Sequence, residues 1–331
     1  MYFLLRKEAE FPYPLVNMSL WVQNDCNLKV ILKGVSRSFY LSLLFLPKKI
    51  RYTMGVGYLF CRAADTIADT DLIPASERLK MLELYRREFL QGENLDDLEQ
   101  IQNQVVGGGG LKDEEELIKN LPACFSLFRK LGEADQQFLK NLVVELTLGM
   151  EMDLKKFSGS ASPLTAQELD QYTYYVAGVV GKFWTEVITF HFASLRKWDL
   201  TLMVDLGIRF GKGLQRVNIL RDRPQDQARG RLYLPIAPID LVQEKVKAEE
   251  LLEAGWRYVQ KLPWWAARLR WVCLIPLLLG FKTLKLLEEN GWESGAKVSR
   301  SEVYRIMLFA AFFFWSPRLL GQLTLEPGLR R

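Results

Sequence analysis

The 331-residue chain has a single histidine, His191, and only four cysteines. The cysteines lie far apart and lack the paired spacing of metal ligands, which favours reduced, buried thiols of a cytoplasmic protein. His191 lies in the apolar run 190–192, and this position predicts a histidine of the protein core rather than a catalyst. The sequence therefore gives no indication of a metal site built on histidine or cysteine.

Long hydrophobic runs and clusters of one charge are also missing. The apolar segments 271–280 and 306–315 have about ten residues each, whereas a membrane-spanning helix needs roughly 20. The net charge of +5 is spread along the chain, which argues against nucleic acid as a partner. Residues 1–15 mix acidic with apolar residues and show no leader pattern. We expect a cytoplasmic protein with peripheral membrane contact at most, for which 306–315 is the candidate surface.

Helix-forming residues dominate the sequence, and strand-like alternation is scarce. Apolar side chains recur three and four residues apart, as at Leu79, Leu82, Tyr85 and Phe89. Thr165 followed by Glu168 predicts a capping box at the start of a helix. Loops are expected at 73–74, 92–97, 107–110, 158–163 and 230–238. Because the composition does not change across these loops, we predict one all-α domain over residues 1–331.

The first motif with chemical potential is the pair Asp65 and Asp69, which follows an apolar helical run. A spacing of four residues puts both carboxylates on one helix face, where they repel by roughly a few tenths of a kcal/mol. A divalent cation reverses that sign, and Mg²⁺ prefers carboxylates combined with substrate phosphate oxygens and water. The pair fits a Mg²⁺ site as well as a solvated acidic face. Arg62, three residues earlier, lies on the same side and can hold a phosphate oxygen.

A second polar face carries Asn218, Asp222 and Asp226, which recur every four residues. An amide oxygen and two carboxylates in one row fit a second hard-cation site or a polar helix end. Pro224 lies within this row, and proline removes one helical hydrogen bond and clashes with the preceding turn. We therefore expect a kink or a helix end at Pro224. The presence of two separate acidic sites in one apolar helical chain favours the metal interpretation.

Four segments together resemble squalene and phytoene synthases, a family that joins two prenyl diphosphates head to head. The segments are 36–40 with the following Leu46-Pro47, then 65–69, 172–181 and 213–235. They occur in the family's order and cover roughly 34–235. The resemblance implies an all-α isoprenoid synthase fold with helices around a deep central cavity, and we expect a monomer.

The resemblance also implies roles for individual residues. Mg²⁺ ions that bind the diphosphates would be held by Asp65, Asp69, Asn218, Asp222 and Asp226. The substrate diphosphates would contact Ser36, Arg37, Arg62, Gln215, Arg221, Arg231 and Tyr233. Arginine suits this task because its planar guanidinium donates two hydrogen bonds and stays charged. Tyr172 matches a tyrosine beside the reacting carbons, and the cavity would be lined by Phe39, Tyr40, Val176, Ala177 and Gly178.

The sequence departs from the family pattern at Ala68 and Gln225, where many relatives have glutamate. Both changes remove a carboxylate beside an expected metal site and bear on how many ions bind. Gly178 and Gly181 predict a close helix approach or a local break. Phe60, Phe183 and Trp184 fit a prenyl tunnel or plain core packing.

The resemblance predicts a transferase that condenses two farnesyl diphosphates through a cyclopropyl diphosphate to squalene. Mg²⁺ would be required, and NADPH would be needed if squalene is the product. The alternatives are a phytoene synthase that uses geranylgeranyl diphosphate and an enzyme that releases dehydrosqualene or hydroxysqualene. A helical protein that binds prenyl lipid without catalysis is a further alternative, against which the paired acidic motifs argue.

Overall fold

The computed structural model describes residues 32, 34–35, 43, 45–70, 72–92, 94–108, 111–158, 162–235 and 238–313. Within these ranges the chain is helical and has no β-strand, which confirms the all-α prediction. The helices are α1 Lys48–Asp69, α2 Ala75–Gln91, α3 Leu95–Val105, α4 Lys112–Lys119, α5 Leu121–Arg129, α6 Glu133–Phe157, α7 Ala166–Thr173, α8 Val179–His191, α9 Leu200–Ala228, α10 Pro238–Lys261, α11 Ala267–Asn290 and α12 Arg300–Phe313. A single domain over 1–331 stays a prediction.

Helix boundaries follow the local signals of the sequence closely. The Thr165 hydroxyl accepts a hydrogen bond from the Glu168 amide, and the Glu168 carboxylate accepts one from the Thr165 amide at 2.7 Å. This reciprocal arrangement is the predicted capping box, and it satisfies two amides that the first helical turn leaves without partners. The predicted loop at 73–74 and the described part of the loop predicted at 107–110 likewise separate consecutive helices, whereas α3 begins at Leu95, inside the loop expected at 92–97.

Helix α9 does not end at Pro224, so that part of the prediction is wrong. The helix runs for 29 residues and continues past the proline to Ala228. Arg221 and Arg223, which precede the proline by three residues and one residue, are buried, and Arg223 pairs with Glu293 beyond α11. Tertiary packing therefore offsets the hydrogen bond that proline removes. As a result, Asp226 remains on the same helix as Asn218 and Asp222.

Helices α8 and α9 are in backbone contact at glycine. A Cβ atom added to Gly181 would lie 1.9 Å from the carbonyl oxygen of Gly207, and one added to Gly211 would lie 2.2 Å from that of Ala177. Residues Tyr174–Gly178, just before α8, form a π-helical turn. Gly181 thus permits the close helix approach, which is one of the two alternatives that the sequence predicts, and Gly178 is the last residue of the π-helical turn.

The two apolar segments have different environments. Residues 271–280 belong to α11 and are nearly all buried, as expected for a core helix. Helix α12 is only partly covered, since Ala310 is buried while Leu308 is 62% exposed. Among the described helices, none combines the length and hydrophobicity needed to cross a bilayer.

The expectation for His191 needs correction, whereas Phe60 follows the core alternative. His191 is only partly buried, and its Nε2 atom lies 2.9 Å from the Asp135 carboxylate. It occupies the last turn of α8, where the chain returns to the surface and Phe190 is exposed. Phe60 packs among Tyr85, Phe89, Phe125 and Phe128 and is a core residue.

The contact between α8 and α9 predicts a specific sensitivity to added volume. We expect Gly181→Ala to lower the free energy of unfolding by about 3 kcal/mol, because the methyl group meets rigid backbone and forces the helices apart. Urea titration followed by circular dichroism measures this change. Gly132→Ala is the matched control, since nothing lies within 4 Å of its added Cβ. Equal stability of the two variants would contradict the prediction.

Candidate active site

Two adjoining cavities lie between the helices. The first, the acidic cavity, is lined by Asp65, Ala68, Asp69, Met150, Asp153, Tyr172, Val176, Gln215, Asn218, Ile219, Asp222, Asp226, Arg231 and Tyr233. The second, the apolar cavity, is about three times larger, with a volume of ≈ 210 Å³ against ≈ 70 Å³. Asp65 lines both cavities, so the polar and the apolar cavity adjoin each other at this residue.

The acidic cavity brings together the two polar helix faces found in the sequence. Helix α1 contributes Asp65 and Asp69, and α9 contributes Asn218, Asp222 and Asp226. The four-residue spacings place each set along one side of its helix, as predicted. Ala68 also lines this cavity, whereas Gln225 is exposed. Of the two departures from the family pattern, only the one at Ala68 changes the cavity wall.

The side chain of Asn218 is only partly hydrogen-bonded. Its amide nitrogen donates to the Gln215 side chain at 3.3 Å, but its Oδ1 atom is buried with no hydrogen-bond partner in the structure. Leaving a buried acceptor unsatisfied costs about 1–3 kcal/mol. An amide oxygen is also an ordinary ligand for a hard cation. The orphaned oxygen, one turn from Asp222, therefore fits a metal ligand better than a structural residue.

The described residues do not form a ready-made cage for a metal. Across them, no group of three or more His, Cys, Asp or Glu side chains is arranged around one point. Mg²⁺ typically binds to one or two carboxylates together with substrate phosphates and retained water. Pairs of protein ligands on α1 and on α9 fit that pattern, in which the diphosphate supplies the remaining oxygens.

Three arginines pair with the carboxylates of the site. Arg231 donates to Asp69 at 3.1 Å, and its Nε lies 3.6 Å from Asp153. Arg221 is buried and donates from its Nε to Asp222 at 2.8 Å. Arg62 pairs with Glu114 on α4 and lies 3.9 Å from Asp65. These cations offset part of the repulsion among the aspartates.

Two tyrosines and Asp153 form a buried hydrogen-bonded chain. The rings of Tyr172 and Tyr233 stack with centroids 5.1 Å apart. The Tyr172 hydroxyl donates to that of Tyr233 at 3.3 Å, and Tyr233 donates to the Asp153 carboxylate. Tyr172 lies on α7, Tyr233 lies in the segment after α9, and Asp153 lies on α6. The chain therefore ties three separate parts of the fold together.

Charge and burial fix the protonation states of this chain. Burial, and then the carboxylate of Asp153, raise the pKa of both Tyr172 and Tyr233 far above the ordinary tyrosine value. Burial alone lowers the pKa of Arg231, but Asp153 and its other neighbours outweigh this effect and raise it. Both tyrosines thus keep their protons, and Arg231 stays charged.

The apolar cavity is enclosed by side chains from helices α1, α6, α8, α9, α10 and α11. Its walls include Met54, Leu142, Leu146, Ala177, Val180, Gly181, Phe183, Trp184, Gly207, Phe210, Leu214, Tyr258, Val272 and Pro276. Such a surface binds hydrocarbon and excludes water. Phe183 and Trp184 therefore lie where the tunnel interpretation puts them.

The expected site residues separate into four groups. Gln215, Arg231 and Tyr233 line the acidic cavity, together with Tyr172 and Val176. Arg62 and Ala177 line the apolar cavity. Arg221 and Gly178 line neither of the two, because Arg221 is turned toward Asp222 and Gly178 packs against Ile208 and Lys212 of α9. Ser36, Arg37, Phe39 and Tyr40 lie outside the described residues, as does Cys26.

Asp153 is the functional candidate that sequence reasoning missed. The sequence does contain a signal for it, because Leu142, Leu146, Met150 and Asp153 follow one another at helical spacing on one face of α6. The first three are buried. A carboxylate on an otherwise apolar stripe must find a buried partner, which is a reason to suspect function. No local pattern could have named that partner.

The family follows from a match to the whole central region. A family model described as squalene/phytoene synthase matches residues 32–240. The chain belongs to the squalene/phytoene synthase family. Residues 32–240 contain all the sequence motifs and every residue of the acidic cavity.

Curated relatives include several synthases of this family. Squalene synthase BSS of Botryococcus braunii is 32% identical over 196 residues, which cover 59% of this chain and 39% of the relative. A bifunctional lycopene cyclase/phytoene synthase of Blakeslea trispora is 32% identical over 207 residues, covering 62% of this chain and 31% of the relative. Squalene synthase of Dictyostelium discoideum is 28% identical over 205 residues, which cover 62% of this chain and 45% of the relative. The chain thus spans less than half the length of these relatives.

Solved structures show the same fold. The complex of TcSQS with the ligand BPH1237 has a TM-score of 0.70 at 21% identity, covering 91% of this chain and 92% of that one. Squalene synthase HpnC from Alicyclobacillus acidocaldarius has a TM-score of 0.55 at 19% identity, covering 80% and 93%. At such identities the likeness establishes the helical architecture and nothing about the reaction.

The orphaned oxygen of Asn218 leads to a prediction that separates stability from ligand binding. We expect Asn218→Leu to unfold at a temperature equal to or above that of the unaltered protein when no metal is present, because it removes an unsatisfied buried acceptor. With Mg²⁺ and inorganic diphosphate, the unaltered protein should gain several degrees and the variant much less. Differential scanning fluorimetry measures both effects. A variant that is destabilised without metal yet stabilised equally by the ligands would contradict this assignment.

Proposed function

We propose that this protein is a prenyltransferase that condenses two prenyl diphosphates head to head through a cyclopropyl diphosphate. The observation that carries the proposal is the meeting of two carboxylate-bearing helix faces in one cavity that adjoins an apolar cavity at Asp65. The polar part suits a diphosphate with its cations, and the apolar part suits a hydrocarbon tail. Family membership supports the same reaction class.

The residues present fit bound Mg²⁺. Asp65 and Asp69 would hold it on α1, and Asn218, Asp222 and Asp226 would hold it on α9. When bound, Mg²⁺ would neutralise the charge that develops on the leaving diphosphate. Arg231 would bind phosphate oxygens from the cavity wall, and it remains charged throughout. Arg62 lines the apolar cavity beside Asp65 and would contribute if its side chain turned away from Glu114.

The chain itself would control what happens after the carbon–oxygen bond breaks. Loss of diphosphate leaves an allylic cation, which the double bond of the second substrate attacks. Loss of one proton then closes the cyclopropane ring. Phe183, Trp184 and Phe210 would keep water from the cation, and the ring and oxygen of Tyr172 would stabilise positive charge. Tyr172, Asp65, Asp69, Asp222 and Asp226 are accordingly the proposed catalytic residues.

For the product we propose squalene from two farnesyl diphosphates, with NADPH as hydride donor. The cyclopropyl intermediate would lose the second diphosphate and rearrange, which leaves a final allylic cation. Hydride capture of this cation gives squalene, proton loss gives a dehydro product, and addition of water with loss of a proton gives an alcohol. Phytoene from geranylgeranyl diphosphate is the second candidate, because a phytoene synthase relative matches at the same 32% identity as a squalene synthase. We retain a monomer as the expected assembly.

The proposed reaction predicts that farnesyl diphosphate, Mg²⁺ and NADPH together yield squalene and free diphosphate. Asp65→Asn and Asp222→Asn should each lower turnover by about 100-fold or more, since each removes a carboxylate ligand and its charge neutralisation. Mass spectrometry of the products and a diphosphate-release assay measure these outcomes, with circular dichroism to verify the fold.

Asp205→Asn serves as the control, because Asp205 lies on α9 but is exposed and paired with Arg209. Turnover only with geranylgeranyl diphosphate, or only dehydro or hydroxylated C30 products despite ample NADPH, would overturn the squalene assignment. Unchanged turnover in the Asp65 and Asp222 variants at saturating Mg²⁺ would overturn the metal assignment.

We also propose that the protein contacts membranes peripherally, through the loop between α10 and α11. Trp264 and Trp265 there are 72% and 45% exposed. The loop is held in shape, since the Ala266 amide donates to the Pro263 carbonyl at 3.0 Å and buried Arg270 donates to the Leu262 carbonyl at 2.9 Å. Tryptophan prefers the interface between water and hydrocarbon. The loop is thus a better candidate than 306–315.

Charge identifies the kind of surface that the loop fits. Arg257, Lys261 and Arg268 are exposed around the two tryptophans, and the sequence has no acidic residue from 254 to 287. Basic residues beside interfacial aromatics favour an anionic bilayer, at about 1 kcal/mol for each charge near the surface. Helix α11 begins just beyond the loop and lines the apolar cavity through Val272 and Pro276. An insoluble hydrocarbon product would leave near lipid.

The lipid contact predicts co-sedimentation with vesicles of phosphatidylcholine and phosphatidylglycerol, and much weaker binding to phosphatidylcholine alone. Replacing Trp264 and Trp265 by serine should lower the bound fraction at least about fivefold, because it removes the interfacial anchors. Leu72→Ser is the control, since Leu72 is equally exposed elsewhere on the surface. Vesicle binding that survives the tryptophan double variant, or no binding to anionic vesicles at all, would exclude this surface as a lipid contact.

A further inference from the structure

The acidic cavity contains one carboxylate, that of Asp153, which no sequence motif indicated. Asp153 accepts the hydroxyl hydrogen of Tyr233 on one oxygen and faces the Nε of Arg231 at 3.6 Å with the other. Only 11% of its side chain is exposed. A buried carboxylate costs several kcal/mol unless it is paired and hydrogen-bonded, so Asp153 needs both neighbours.

The hydrogen bonds of this chain can run in only one direction. An ionised carboxylate accepts and cannot donate, so Tyr233 must use its single hydroxyl hydrogen on Asp153. The Tyr233 oxygen can then only accept from Tyr172, whose hydroxyl lies 3.3 Å away. The Tyr172 hydroxyl therefore donates its only hydrogen to the Tyr233 oxygen. Burial, and then Asp153, raise the pKa of both tyrosines, so neither loses its proton to solvent.

The direction of the chain determines what Tyr172 offers to the cavity that it lines. With its hydrogen committed to Tyr233, the Tyr172 oxygen presents only electron pairs and the ring presents its π face. Both carry partial negative charge and stabilise a nearby carbocation. A hydroxyl free to rotate would instead spend part of its time with the positive hydrogen toward the cation.

We propose that Asp153 is a positioning residue that acts through Tyr233 to hold the Tyr172 hydroxyl as a hydrogen-bond acceptor toward the cavity. This assignment rests on the proposed function, since it concerns the cationic intermediates of that reaction. Asp153 itself does not need to touch the substrate. Its contribution is to fix the orientation of a dipole before the reaction begins, so that no reorganisation is required when charge develops.

Asp153 could also act through Arg231, and the geometry distinguishes the two routes. The Arg231 contact is longer, at 3.6 Å, and Arg231 keeps a second carboxylate partner in Asp69 at 3.1 Å. Tyr233, by contrast, has no acceptor other than Asp153 among the hydrogen bonds resolved for its hydroxyl. Loss of Asp153 therefore changes the orientation of Tyr233 more than that of Arg231.

A double-mutant cycle between Asp153 and Tyr233 tests the proposal. Asp153→Asn keeps the size of the side chain but introduces a donor, so the chain can reverse. We expect kcat to fall at least about tenfold while KM changes less than about threefold. Tyr233→Phe should give a similar loss, and the double variant should lose no more than either single variant, because both act on Tyr172 along one path. Asp153→Glu should retain more activity than Asp153→Asn because it keeps an acceptor-only group.

Glu151→Gln is the matched control, since Glu151 is two residues away on α6 and pairs with Arg86 and Lys155. Calorimetric titration with Mg²⁺ and inorganic diphosphate should show unchanged binding in the Asp153→Asn variant. Losses that multiply in the double variant, or an Asp153→Asn variant within about twofold of normal kcat, would overturn the role of Asp153 while leaving the proposed function intact. An unaltered protein that turns over no prenyl diphosphate would overturn the proposed function and the assignment together.

Discussion

Mutual repulsion among aspartates is the constraint on which the rest of the site depends. Five aspartates line the acidic cavity, and Arg231 is the one basic residue among the described side chains that line it. Repulsion between carboxylates strengthens as water is excluded, because the effective dielectric constant falls. Arg231 bridges Asp69 and Asp153, and Arg221 and Arg62 lie against Asp222 and Asp65 from outside the cavity. Even so, carboxylates remain in excess. A site of this kind attracts cations and, once they are bound, an anionic diphosphate. Bound cations relieve the repulsion between the carboxylates, and this relief adds to the affinity for the ligand.

The fold must hold these charges in place against their repulsion. Helix α9 supplies Asn218, Asp222 and Asp226 from one continuous element, and it is anchored at Gly207 and Gly211 by backbone contact with α8 and the preceding turn. That contact leaves no room for even one methyl group, so the spacing of the two helices is fixed by backbone atoms rather than by deformable side chains. The same two glycines line the apolar cavity. One packing feature thus sets both the position of the face that carries Asn218, Asp222 and Asp226 and the width of the apolar cavity.

Much of this arrangement could be predicted from sequence, and the exceptions have a common cause. Periodicity placed Asp65 with Asp69, and Asn218 with Asp222, on single helix faces, and the Thr165 capping box formed as predicted. These features depend on residues within one or two helical turns. The partners of Asp153 and Arg62, the burial of Arg221 and the position of His191 beside Asp135 all depend on contacts between distant segments. Continuation of α9 through Pro224 belongs to the same class, because packing along the helix outweighs a local preference. Local patterns therefore identify the faces of the site but not the pairing within it.

The two halves of the acidic cavity differ in how completely their polar groups are satisfied. On the Asn218 side, a buried amide oxygen has no partner in the structure, which costs free energy until a ligand binds. On the Tyr172 side, the hydroxyls of Tyr172 and Tyr233 and the Asp153 carboxylate are linked in one chain. The half with the unpartnered oxygen gains free energy when a ligand binds. The half whose polar groups are already hydrogen-bonded gains little, but its side chains keep their positions. This division suits a reaction in which one region binds a diphosphate tightly. The other region then presents a fixed, electron-rich surface to a short-lived carbocation. Under the proposed function, binding of the diphosphate and stabilisation of the carbocation therefore fall to different residues, and a substitution in one half should leave the other largely intact.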